Sequence, residues 1–148
     1  MSWRMRQGLQ ETMLISAYRI LFWTGYLSVL IITFIPLSGS LNKINLGPES
    51  FHIRLDHFLH IVVYFLICMY YLAGVKMKLS LFNSDPLKKF IILVLFLAII
   101  TELFQLWVPD RAFNVFDMIS NVAGVGLGVI IIKMVQGYEG STVRRFDR

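Results

Sequence analysis

Asp56, His60 and Tyr64 stand four residues apart at the entrance to an apolar run. Four residues turn a helix by only about 40° from a whole number of turns, so these side chains form one stripe. The next two apolar runs carry related groups. Glu102 and Gln105 lie near the end of one, and Asp117 and Asn121 open the other, with Pro109 and Arg111 between them. Carboxylates and an imidazole offer acid–base chemistry, the phenol and amides offer hydrogen bonds to sugar or amide groups, and the guanidinium suits a phosphate. An acidic side chain at a bilayer centre costs about 2.5–3.5 kcal/mol, so such groups in apolar segments point to a working site.

Each residue also has a structural reading. Asp56 and Asp117 sit where helices begin, and a carboxylate there complements the helix dipole. Asn114 followed three residues later by Asp117 resembles a capping box, although Glu or Gln is the usual partner. Gly124 and Gly128 form a small-xxx-small face suited to close helix packing. Gly124, Gly126 and Gly128 are no phosphate loop, because no strand precedes them and no Lys-Ser/Thr follows. Pro109 can stop a helix, Gln105 and Asn121 can join helices by hydrogen bonds, and Tyr64 can serve as a packing aromatic. Glu102 fits the structural reading least. It stands seven residues before Pro109, about 10 Å along a helix, and needs partners, for which His60 and Arg111 are the expected donors. With neutral histidines, Asp56, Glu102, Asp117 and Arg111 carry a net charge of −2, which protonation of His57 and His60 would cancel. The set is expected to take up protons, a cation, or a polar ligand that donates hydrogen bonds. His57 and His60 with the nearby carboxylates could supply N/O metal ligands. No HExxH-type signature is present, so the expectation is no metal and no cofactor.

The elements that position these groups are membrane spans. The chain has 148 residues, is 57% hydrophobic and only 16% charged, against about 45–50% and 25% in a soluble domain. That length suits one domain over residues 1–148. Four runs approach the roughly 20 apolar residues of a span, at about 18–37, 57–75, 90–108 and 117–135. Barrel strands are shorter, so the fold expected is all-α, a membrane bundle of four transmembrane helices. Eleven of the fourteen Lys and Arg lie in the N-terminal segment, the loop between spans two and three, and the C-terminal end. The positive-inside rule then puts both termini in the cytoplasm and the loops at about 38–56 and 109–116 outside. Antiparallel threading brings the polar ends of spans two, three and four to the outer leaflet. The net charge of +5 flanks apolar runs instead of forming a stripe, which argues against nucleic acid. The single cysteine, Cys68, excludes an intrachain disulfide and reads as a packing residue. The 18 or so residues before the first run and the lack of an A-x-A site argue for a retained span over a cleaved signal. Residues 1–17 are expected as an amphipathic turn or two at the inner interface.

The ordered set Asp56-x3-His60-x3-Tyr64, Glu102-x2-Gln105, Pro109-x-Arg111 and Asp117-x3-Asn121-x2-Gly124-x3-Gly128 resembles the VanZ-like family of bacterial membrane proteins. The likeness covers about residues 56–128, half of the chain. Two positions depart from it: His57 stands where the family often has Lys, and Asp110 where it often has Gly. The first removes a permanent positive charge and the second adds a negative one, which weakens any anion grip through that Lys. The resemblance implies a multi-pass protein of the bacterial cell membrane, and the family's founding member is linked to resistance to the glycopeptide teicoplanin.

The function expected is a membrane module whose outer-leaflet pocket binds a cell-envelope or lipid-linked component and influences envelope properties or glycopeptide susceptibility. Its ligand-binding residues would be Asp56, His60, Tyr64, Glu102, Gln105, Arg111, Asp117 and Asn121, and its partners membrane lipids and a lipid-linked precursor. The alternative is a membrane-embedded enzyme acting on an envelope lipid or glycan. His60 would then be the acid or base, Glu102 its partner and Arg111 the anion stabiliser. A third reading makes the polar set only helix-packing glue.

Overall fold

In a computed structural model of the chain, residues 3–33, 45–46, 53–107 and 114–146 are described, with side chains over 6–32, 55–107 and 114–138. The described residues form four helices: α1 (Trp3–Thr33), α2 (Leu55–Lys76), α3 (Pro86–Gln105) and α4 (Val115–Phe146). A two-residue antiparallel ribbon, β1 (Asn45–Leu46) with β2 (Ile53–Arg54), pairs Asn45 with Arg54 and precedes α2. The all-α expectation is met.

Stretches of α1, α2 and α4 (Arg6–Ile32, Leu55–Lys76 and Val115–Tyr138) are long and apolar enough to cross a membrane. The chain is therefore a multi-pass membrane protein. The predicted third span is α3, which is 20 residues long. Lys88 and Lys89 at its start and Glu102 near its end leave every 18-residue stretch of it with three charges. Many large apolar side chains point outward, among them Leu21, Ile92, Phe96 and Ile130, each more than half exposed. Lipid makes that arrangement favourable.

Three boundaries differ from expectation. The first 17 residues were read as a separate interfacial turn, but from Trp3 onward they are one continuous helix with the span that follows. No helix breaker stands between them. The third span ends at Gln105 instead of 108, and the chain turns at Leu106 and Trp107. The fourth continues past Val135 to Phe146, because nothing in Gln136–Gly140 stops it.

By its contacts the chain divides into two compact units. The first comprises Met1–Pro36 and Tyr70–Phe113, and the second Leu37–Met69 and Asn114–Arg148. In the first unit α1 and α3 run parallel: Phe22 meets Phe90 at 6.1 Å between ring centroids, and a turn further on Tyr26 donates to the Leu93 carbonyl at 3.4 Å. Tyr71 stacks on Phe90 at 4.2 Å, and Tyr18 on Tyr70 at 5.0 Å. The Tyr70 hydroxyl donates to the Tyr18 carbonyl at 2.9 Å. Gly74 abuts the Tyr18 ring, with no room for a side chain there. Arg19 ties α1 to the loop before α3, donating to the Ser80 carbonyl at 3.0 Å and Asn83 Oδ1 at 3.1 Å.

The α2 helix closes with a Schellman arrangement. Leu79 N–H donates to Gly74 O at 2.8 Å and Lys78 N–H to Val75 O at 3.0 Å. Lys78 takes the left-handed turn (φ 59°) that glycine usually fills. Pro86 then opens α3 at its first turn, where a missing N–H costs no helical bond.

Candidate functional site

The second unit holds the polar set, and its helix starts explain how. Asn114 caps α4: its side-chain oxygen accepts the Phe116 N–H at 3.0 Å. The side-chain bond goes to Phe116 and not to Asp117, so this is a simple N-cap and not the capping box that the Asn114–Asp117 spacing resembles. The Asp117 side chain instead faces α2, where its Oδ1 accepts from His57 Nδ1 at 2.6 Å. On α2, Asp56 lies in the first turn, and its Oδ1 accepts the His57 backbone N–H at 2.9 Å. The same Oδ1 is 3.9 Å from His57 Nδ1. His57 is therefore flanked by two carboxylates from two helices. Asp117 is buried, and Asp56 and His57 are half-buried.

One turn deeper, His60 Nδ1 meets Asn121 Oδ1 at 2.9 Å. An amide oxygen only accepts, so Nδ1 carries the proton in this bond. Asn121 is fully buried and Tyr64 nearly so. Deeper still, α2 and α4 come into direct contact. A Cβ at Gly124 would collide with the carbonyl of Ile61, and one at Gly128 would meet Cys68, with Sγ only 2.7 Å away. Cys68 Sγ lies 3.9 Å from the Val125 carbonyl. The helices run parallel, with residues 57, 60, 61 and 68 meeting 117, 121, 124 and 125–128 in order. Glycines let the backbones approach, and that approach sets the width across which the rungs His57–Asp117 and His60–Asn121 are made.

The outcome for each predicted residue is specific. Asp56, Asp117, His60 and Asn121 come together. His60 pairs with Asn121, where the sequence reading offered it to Glu102. Glu102 and Gln105 belong to the first unit. They are buried at the polar end of the α3 stripe Phe90, Val94, Leu97, Ala98, Thr101, whose spacing of three and four residues is that of one helix face. Because α3 ends at Gln105, Glu102 lies in its last turn and not some 10 Å inside the helix, yet it is fully buried. Pro109, Asp110 and Arg111 lie outside the described residues.

His57 is absent from the ligand-binding set expected from the sequence, which names it as a departure from the family pattern, as a group whose protonation balances the charge and as a possible metal ligand, with the stripe running through Asp56. The spacing contained the signal: 57, 60, 61, 64 and 68 repeat at three and four residues, as do 117, 121, 124 and 128. Two such stripes on parallel helices face each other.

Chemically, the upper rung joins an imidazole to a carboxylate and leaves the other ring nitrogen for a second partner. The lower rung presents one more imidazole. A family model described as VanZ/LLP1 matches residues 22–136. No curated protein and no solved structure matches the chain. The matched residues include both rungs and both packing glycines.

Proposed function

The chain belongs to the VanZ/LLP1 family, and on that premise we propose that this multi-pass membrane protein binds a polar component of the cell envelope, foremost a lipid-linked one. Binding would occur at the shared polar end of α2 and α4 and would alter envelope properties or glycopeptide susceptibility. The observation that carries the proposal is the pair of rungs, His57–Asp117 at 2.6 Å and His60–Asn121 at 2.9 Å. They lie within the first two turns of two helices apolar enough to span a membrane. Polar groups placed there are costly to bury in lipid and suited to a ligand bearing hydroxyl, amide or phosphate groups. With eleven of fourteen basic residues on the other side of the membrane, the proposed orientation puts this end at the outer leaflet of a bacterial cytoplasmic membrane, with both termini inside. Arg111, outside the described residues, is proposed as a phosphate contact on its chemistry alone.

The test is native mass spectrometry of co-purified lipid, together with susceptibility to a glycopeptide, in wild type, His60→Ala and Asn121→Ala. Folded variants that lose both the bound species and the phenotype support binding. Folded variants that keep both sink it, and unfolding of both variants favours glue. Glu102, in the first unit, has its own test. If Glu102→Gln stays folded and loses the phenotype, its carboxylate belongs to the function.

A second reading, an acid–base enzyme on an envelope lipid or glycan, is favoured by the 2.6 Å His57–Asp117 contact. A carboxylate that orients an imidazole is the usual way to hold a general base. On this reading the contact favours His57 over His60 as the base. Turnover of an envelope lipid by wild type that disappears in Asp117→Asn, with lipid still bound, would establish it. Equal turnover in the two proteins would exclude it.

A further inference from the structure

We propose that Asp56, His57 and Asp117 hold one divalent first-row cation, of the zinc class, where α2 and α4 begin. One ligand atom from each of the three residues lies within 4.8 Å of the other two. This departs from the expectation of no metal, which rested on the lack of a contiguous motif. Here the ligands come from two helices, and no single-helix signature would contain them.

The charge argument comes first. Two carboxylates flank one imidazole in a half-buried place, which gives a net charge of −2 with neutral His57 and −1 with it protonated. Counted over these three side chains alone, a divalent ion balances the neutral-imidazole form. Mixed nitrogen and oxygen donors suit first-row divalent ions, whereas calcium and magnesium favour oxygen ligands alone.

The distances fit with small movements. His57 Nδ1 is 2.6 Å from Asp117 Oδ1 and 3.9 Å from Asp56 Oδ1. Around a tetrahedral zinc with bonds near 2.0–2.1 Å, neighbouring ligand atoms are roughly 3.3 Å apart. The His57–Asp117 separation must widen and the His57–Asp56 one shorten, each by less than about 1 Å, and the two carboxylate oxygens, within 4.8 Å of each other, must close by about 1.5 Å at most, within reach of χ rotations at the helix ends. The supports are in place. Asp56 is anchored by the His57 backbone N–H, and Asn114 caps α4, which leaves the Asp117 side chain directed at His57. Three protein ligands leave a fourth position for water or a ligand atom, the arrangement of catalytic rather than structural zinc sites.

Helix-dipole complementarity accounts for an aspartate in each first turn. It does not account for an imidazole placed between them. The site shares His57 and Asp117 with the upper rung, but metal uptake is read without any envelope ligand and would hold if the envelope-ligand proposal failed.

The test uses the full-length, untagged protein in detergent, stripped by chelator and dialysed against Zn²⁺. Metal content and thermal unfolding are then measured. Wild type is expected to take up one zinc and to unfold at a higher temperature with it. His57→Lys keeps a cation between the carboxylates but offers no lone pair, so it should fold and bind at least about 100-fold more weakly, beyond the 10–100-fold that loss of a supporting residue costs. Asp117→Asn should also lose binding, whereas His60→Ala, one turn away, should keep it. X-ray absorption on zinc-loaded wild type should show one nitrogen and two carboxylate oxygens, a reading that needs no variant to fold. Zinc uptake by wild type no greater than that of His57→Lys would overturn the proposal. So would a first shell of several imidazoles or of sulfur.

Discussion

Each unit pairs two parallel helices, α1 with α3 in the first and α2 with α4 in the second, and they are held in opposite ways. The first unit is filled by volume. Tyr18, Phe22, Tyr26, Tyr71 and Phe90 are all buried, their rings stack or tilt against aromatic neighbours, and the Tyr26 and Tyr70 hydroxyls donate to backbone carbonyls. The second unit is held by absence of volume. Gly124 and Gly128 bring the backbones together, and the gap is bridged at one end by short polar contacts. In lipid there is no hydrophobic drive between helices, so packing and interhelical hydrogen bonds must hold them. Large rings supply the first, and glycine with polar rungs supplies both. The second solution leaves ionisable side chains in register on two helices, so that chemistry can be assembled there from the packing itself.

Removing volume should hurt the first unit most. Phe90 is fully buried between Phe22 and Tyr71. Phe90→Ala should cost about 3–5 kcal/mol, read as an earlier midpoint in denaturant titration. A change under about 1 kcal/mol would show that the aromatic cluster does not hold α1 to α3. Adding volume should be what hurts the second unit. Gly124→Ala places a methyl against the Ile61 carbonyl, a backbone atom that cannot swing aside. The expected loss is about 1–3 kcal/mol, with weaker proximity of cysteine pairs introduced on α2 and α4. A neutral Gly124→Ala would erase the contrast between the units.

The rungs sharpen the comparison further. His57 and Asp117, at 2.6 Å and near the helix ends, should show a coupling of about 1.5 kcal/mol in a double-mutant cycle with chelator present, since charge-assisted bonds exceed neutral ones. The cycle is needed because each single variant also leaves a half-buried partner unmatched.

These differences bear on what could be read from the chain. The spans were legible because apolar runs of about 20 residues admit few structures, and α2 begins and ends within two residues of its predicted bounds. The polar set was legible because ionisable groups in such runs are rare. Pairing was harder. Asp56 and His57 are adjacent and differ by about 100° around the helix, so choosing the wrong one shifts the stripe and hides the rung. The 3–4 spacing shared by 57, 60, 61, 64, 68 and by 117, 121, 124, 128 decides between them, but only once α2 and α4 are known to lie parallel. Glu102 was misjudged for depth because Pro109 was taken as the helix end, whereas the chain leaves the helix after Gln105. Its burial is a product of tertiary packing, which hydropathy does not report.

The smallest effect is the most discriminating. His60 and Asn121 form a neutral bond at 2.9 Å, and Asn121 is fully buried. Interhelical hydrogen bonds in a membrane average only about 0.6 kcal/mol in double-mutant cycles, because the separated helices find other partners. The same coupling is expected between His60→Ala and Asn121→Ala. A value near zero to about 1 kcal/mol means the deeper rung adds little to helix association, so exchanging this bond for a ligand contact would cost the fold little. A coupling above about 2 kcal/mol would make it a structural bolt and return the whole α2–α4 seam to the reading in which polar groups are only glue. The upper rung cannot settle this question, because a bond to a carboxylate stabilises the helices whether or not the pair also binds anything. The neutral rung can, since a weak coupling there would favour the ligand-binding reading of His60 and a strong one the packing reading.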